Sequence, residues 1–253
     1  MATRYDDSDD QGLFGTRGFQ RLVIIGFILL ALGLLAGKIL NDKTLPIRNV
    51  QIGGEFKHVG KKDIQKKIDR LVHGNFFTVD IRKIQDIIQS HVWVDKVSIR
   101  RVWPDTLRIF INEKKPIARW SSKGLVSASG KLFKVPVRKA YRLLPLFVGP
   151  KNYYPIMVTK FLRYKILFTD IGLSIRQVTV TSRRAWRIRL SNGIEVRLGR
   201  SNMDFRVTRL VKIYQSVLGK VSNNVRAIDM RYTNGFAVKW KPGRKAKTFA
   251  YGG

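Results

Sequence analysis

Apolar and polar positions change period several times along this chain, and the changes outline its elements. From Leu22 to Leu40 the sequence is apolar except for Lys38. As a helix, these roughly 19 residues would rise about 28 Å, close to the hydrocarbon thickness of a bilayer, so one membrane span is predicted. Lys38, near the far end, can lay its stem along the helix while its ammonium reaches the interface. Val50 and Ile52 then alternate with Asn49 and Gln51 up to Gly53-Gly54, as in a strand. Ile64, Ile68 and Leu71 recur at helical spacing opposite Lys61, Lys62, Lys66 and Lys67, with Gly60 or a neighbour as N-cap. Asp80 opens a second helix with Ile81, Ile84 and Ile88 inward. The stretch from Val92 to Trp120 reads as a complete β-hairpin. Val97 and Ile99 alternate with Lys96, Ser98 and Arg100, and Leu107, Ile109 and Ile111 alternate with Arg108 and Asn112. Trp103, Pro104, Asp105 and Thr106 make its turn.

The second half is richer in strands. Leu125 to Val135 holds Ser129-Gly130 between short apolar strands, Leu143 to Val148 reads as another strand, and Tyr154 to Phe168 has helical periodicity. Trp186, Ile188 and Leu190 precede Asn192-Gly193, and Ile194, Val196 and Leu198 follow it on the same face. Asn-Gly is a strong hairpin signal because both residues tolerate positive φ. Met203 to Leu218 is an amphipathic helix with Val207, Leu210, Val211, Tyr214 and Leu218 inward. A last hairpin places Ile228, Met230 and Tyr232 on one strand, Asn234-Gly235 in the turn, and Phe236, Val238 and Trp240 on the other. The predicted fold is α+β: one N-terminal transmembrane helix, a β-α-α-β-β module, then a β-rich α+β domain ending in an edge hairpin. The expected segments are a tail at 1–20, the span at 21–41, the module at 46–116, the β-rich domain at 117–241 and a flexible basic tail at 242–253.

Composition narrows the function. With 253 residues, 44% of them hydrophobic, the chain can bury real cores and is not a disordered protein. A net charge of +32 would ordinarily suggest nucleic acid, but the lysines and arginines are scattered over every element rather than gathered in a stripe. The absence of cysteine removes disulfides, thiolate metal sites and cysteine nucleophiles. His58, His73 and His91 are isolated, Gly53-Gly54 lacks the lysine and further glycine of a phosphate loop, and no nucleophile elbow is present. The reading is of a non-enzyme without metal, cofactor or small-molecule substrate. Ala31 and Gly33 leave a cleaved secretory signal as an alternative to a permanent span. Arg4, Arg17 and Arg21 before the run nearly balance Lys38, Lys43 and Arg48 after it, so charge does not set the orientation.

The module's element order resembles a POTRA domain, and the wording of its hairpin is narrower. Val92-Trp93-Val94, Arg100-Arg101-Val102-Trp103-Pro104-Asp105, Leu107, Ile109, Glu113, Pro116 and Ala118-Arg119-Trp120 resemble the FtsQ family of cell-division proteins, with His91 a local departure. The segment from Ile228 to Trp240 resembles the family as well. The resemblance implies a single-pass inner-membrane protein at the division septum, cytoplasmic at its N-terminus and periplasmic in bulk. It also implies a scaffold that binds FtsB and FtsL, contacts other divisome proteins and helps control septal peptidoglycan synthesis.

The final strand has no later β element to pair with, so its edge can template an incoming strand. Carried over by position, the resemblance makes Tyr232 and Trp240 aromatic contacts, Asn234 and Gly235 the turn, and Phe236, Ala237, Val238 and Lys239 the paired edge. Arg200 and Arg231 become cationic contacts to acidic side chains of the partner. From the residues alone, the plainer reading is of Tyr232 and Trp240 as core aromatics and of solvated arginines; the resemblance reverses it. The alternative function is a POTRA-type periplasmic chaperone or assembly factor for outer-membrane or secreted proteins, which predicts tandem POTRA units or a following barrel.

Overall fold

The computed structural model describes residues 16–40, 44–72, 75–121, 124–136 and 138–244. Most of the N-terminal tail, His73 and most of the C-terminal basic tail lie outside the described residues. The first helix, α1 (Thr16–Leu40), starts before the apolar run. Its window Gly18–Lys38 spans 21 residues at a mean hydropathy of 2.3, long and apolar enough to cross a bilayer.

Beyond α1 the described residues form two compact units. One takes the chain up to Ser90 together with Lys96–Asn112, the other His91–Asp95 together with Glu113 onward. In the first, β1 (Asn49–Gly53), α2 (Lys61–Asp69), α3 (Ile81–Gln89), β2 (Val94–Val102) and β3 (Thr106–Glu113) follow the predicted order. Gly60 is the N-cap of α2 and offers no side-chain bond, whereas the Asp80 carboxylate accepts from the Lys83 amide at the start of α3. Ile64, Ile68, Ile84 and Ile88 are buried with Leu107, Ile109 and Ile111 of β3. Leu71 and Ile81 are only half-buried, since α2 ends before the first and α3 begins at the second. The sheet order is β1-β3-β2, with β1 parallel to β3. That parallel pair joins residues about 57 positions apart and has no local sequence signature.

The expected hairpin from Val92 to Trp120 is shorter than predicted. β2 and β3 complete it, and Pro116–Trp120 forms a separate strand, β4, of a different sheet. In the second unit β4 is followed by β5 (Leu125–Ser127), β6 (Leu132–Phe133), β7 (Leu146–Val148), α4 (Tyr154–Thr169), β8 (Ile175–Val180), β9 (Trp186–Leu190), β10 (Glu195–Gly199), α5 (Met203–Ser216), β11 (Val225–Asp229) and β12 (Ala237–Trp240). Nine strands make one sheet, ordered β12-β11-β10-β9-β8-β7-β4-β5-β6. The expected strand from Leu143 begins only at Leu146, and Leu143 itself is exposed.

One face of this sheet carries the core. Trp186, Ile188 and Leu190 of β9, and Ile194, Val196 and Leu198 beside and in β10, are all at most 2% exposed. α4 lies against β8 and α5 against β10, covering that face. The middle of α4 is tied to the first turn of α5 by Asp204, which accepts from Lys160 at 2.8 Å, Arg163 at 3.0 Å and the Tyr164 hydroxyl at 2.7 Å. Partial burial works against the Asp204 carboxylate, but the hydrogen bonds from Lys160 and Tyr164 win and hold it below the usual carboxylate range. Burial, reinforced by the bond to Asp204, pushes the Tyr164 phenol up. The β9–β10 connection is a hairpin at Asn192-Gly193, as expected. Only Gly193 of the pair has positive φ, and Ser191-Asn192-Gly193 form a three-residue loop.

Candidate functional site

β12 is one end of the nine-stranded sheet, and its antiparallel partner is β11. Its four residues extend about 13 Å. Val238 and Trp240 turn inward, half-buried against the core, while Ala237 and Lys239 face solvent. Inward packing anchors the strand, and among the described residues no strand pairs with its outer edge of amide and carbonyl groups.

The loop ahead of β12 departs from the tight hairpin expected from Asn234-Gly235. Asp229 pairs with Ala237, so residues 230–236 all lie between the strands. Met230 is buried but beyond β11, Tyr232 is 57% exposed in the loop, and Phe236, 36% exposed, stops short of β12. Gly235 does not have positive φ. Arginines of α5 explain the wider loop. Arg209 Nη1 donates to the Thr233 carbonyl at 2.8 Å, and its Nη2 to those of Tyr232 at 3.0 Å and Gly235 at 2.8 Å. Arg206 donates to the carbonyls of Leu198 and Arg231, linking the end of β10 to the start of the loop. Carbonyls that a tight turn would bond internally are satisfied here by guanidinium donors. Gly199 makes room for this: its φ is 77°, and a Cβ would stand 2.8 Å from Arg206 Nη1.

Two arginines singled out from the sequence occupy different states. Arg231 turns back on Asp229, with Nε to Oδ1 at 2.8 Å and Nη2 to Oδ2 at 2.6 Å. That bond, above all, holds the Asp229 carboxyl below its ordinary range against the effect of burial. Arg231 is therefore half of an ion pair, not a free cation. Arg200, just past β10, is exposed and has no ion-pair partner among the described residues. Asn234 and Lys239 are exposed as well. Sequence reasoning missed Arg206, Arg209 and Asp229. An arginine on a helix reads as solvated, and only the fold reveals that these point at carbonyls.

The geometry is that of a short strand edge open among the described residues, a loop held beside it by guanidinium bonds, and aromatic and cationic side chains around both. Among the described residues no group of three His, Cys, Asp or Glu side chains is placed to hold a metal ion.

Comparisons with known proteins agree with this organisation. Residues 45–114 match the family model described as POTRA domain, FtsQ-type, and residues 118–231 match that of Cell division protein FtsQ/DivIB, C-terminal. The chain is 30% identical over 220 residues to Cell division protein FtsQ of Coxiella burnetii, covering 87% of this chain and 90% of the relative. It is 32% identical over 221 residues to that of Neisseria gonorrhoeae, covering 87% and 90%. With the protein of Shewanella oneidensis, identity is 34% over 224 residues, covering 88% and 84%. Matches to both modules, and relatives at least 30% identical over most of the chain, establish that the chain belongs to the FtsQ family of cell division proteins.

Proposed function

We propose that this protein is a non-catalytic scaffold of the division machinery in the inner membrane. Its N-terminal tail is cytoplasmic and its two folded units are periplasmic, divided functionally as 46–116 and 117–241. The second unit receives a segment of FtsB, which brings FtsL, as an added strand along β12, and through them influences septal peptidoglycan synthesis. The POTRA unit serves recruitment and contacts to other divisome proteins.

The observation that carries this reading is the position of β12 at the end of the sheet with its outer edge unpaired among the described residues. Main-chain pairing gives affinity at such an edge, and neighbouring side chains give specificity. Phe236 and Tyr232 offer apolar contact at the head of the strand, while Arg200 offers charge to an acidic side chain. In-cell photocrosslinking from probes at Phe236 and, separately, Trp240, with mass spectrometry of the captured species, tests it. Capture of a small single-span coiled-coil division protein is the expected result. Outer-membrane precursors in its place would support the chaperone reading, and no specific adduct from either position would remove the site from β12.

A further inference from the structure

The first unit holds a second exposed feature, at the end where the chain arrives from the span. The β2–β3 turn sits there: the amides of Arg48 and Asn49, at the head of β1, both donate to the Asp105 carbonyl, at 3.0 and 3.3 Å. The loop before α3 is brought to the same end. The Phe76 amide donates to the Leu45 carbonyl at 2.8 Å, and Pro46 bridges to Asn75. Arg101 ties turn and loop together, its Nη2 lying 3.2 Å from the carbonyls of both Phe77 and Val79.

Each of these connections carries a large aromatic outward. Trp103 is 75% exposed at the tip of the turn, and Phe77 is 49% exposed in the loop while its neighbour Phe76 is buried. Phe77 meets the buried Phe76 ring edge-on at 5.3 Å and still leaves about half its surface to solvent. Arg48 and Arg100 flank the turn, and Arg82 and Lys83 open α3 just after the loop; all four are exposed. The acids here are already engaged: Asp80 caps α3, and the Asp105 carboxylate accepts from Thr106 and Asn49. Exposed aromatics among cations are the composition of a membrane–water interface, where Trp sits at headgroup depth and Lys or Arg meets anionic lipid. Chain length brings the tip within reach of one. Eight residues separate Leu40 from Asn49, so β1 begins at most about 30 Å from the end of α1.

We propose that this tip is a membrane contact: Trp103 and Phe77 seat at the headgroup boundary of the bilayer that holds α1, with Arg48, Arg100, Arg82 and Lys83 toward anionic headgroups. The contact restricts how the first unit can swing on its linker. It rests on α1 being a membrane span and is independent of the β12 edge.

The test uses the full chain reconstituted in nanodiscs whose lipids carry bromine near the headgroup end of the acyl chains. Tryptophan emission of the wild type is compared with that of Trp103→Phe, an exposed change that keeps an aromatic ring. The expected result is lipid-dependent quenching in the wild type that is lost in Trp103→Phe, and is weaker in bilayers without anionic lipid. Equal quenching of the two proteins overturns the contact and leaves the tip for a protein partner. Equal quenching in anionic and zwitterionic bilayers overturns the role given to the cations. Alkaline carbonate extraction of the membrane-expressed chain separates the two premises: release of the chain would remove the span and the proposal with it, whereas retention with no Trp103-dependent quenching would remove the proposal alone.

Discussion

The β9–β10 hairpin and the β11–β12 edge are built from similar alternating residues around an Asn-Gly pair, yet they are held by different forces. In the first, six alternate side chains are buried and the strands are closed by a three-residue loop. In the second, the strand pair ends the sheet, Val238 and Trp240 are only half-buried, and a seven-residue loop is held by Arg206 and Arg209. Hydrophobic burial is strong and needs neighbours on both sides. Guanidinium bonds to carbonyls can fix a loop where such neighbours are lacking. An edge kept in place in this way stays ordered while its outer hydrogen-bonding groups remain available.

Substitutions separate the two regimes. Ile188→Ala, in the buried hairpin, is expected to cost about 2–5 kcal/mol and lower the cooperative unfolding midpoint in denaturant. Arg209→Ala is expected to cost about 2 kcal/mol, because three loop carbonyls lose a charged donor. Its signature is local: amide exchange should quicken in residues 230–240 with little change in β8 and β9. A uniform rise over the sheet would mean that the loop and core are one cooperative unit.

Asp204→Asn is expected to cost about 1 kcal/mol, since the carboxylate is partly exposed and screened. Its folded-state pKa is lowered, so its stabilising contribution is present above the ordinary Asp value, near 3.9, and is lost as pH falls through the lowered folded value. The Asn variant should therefore lie below the wild type in stability at neutral pH and converge with it in acid, as followed by thermal unfolding. Arg200→Ala has the smallest effect on stability, within about 0.5 kcal/mol. It should nevertheless reduce capture of the partner, which distinguishes a binding cation from a solvated one.

The sequence read well where a single element decides its own pattern. The isoleucines of α2 and α3, the alternation of Leu107, Ile109 and Ile111, and that of Trp186 to Leu198 all follow from one buried face per element. β8 carries no period-two signature, for a physical reason. A bulge between Ile175 and Gln177 breaks the alternation, so its buried Ile175, Val178 and Val180 do not follow a period of two. Pairings between distant segments, such as the parallel β10–β11 ladder, leave no local trace. At the candidate site the exposed character of Ala237 and Lys239 was legible as alternation. The Asn234-Gly235 pair misled, because Arg206 and Arg209 supply from α5 the bonds that a tight turn would make for itself.

Hydrogen exchange of β12 in the full chain, without and with FtsB, reads strand addition at this edge. Amides in residues 237–240 should exchange faster than those of β9 when the protein is alone and become protected when FtsB is added, with β9 unchanged. Protection of β12 that does not respond to FtsB, while the protein binds it, would contradict strand addition at this edge.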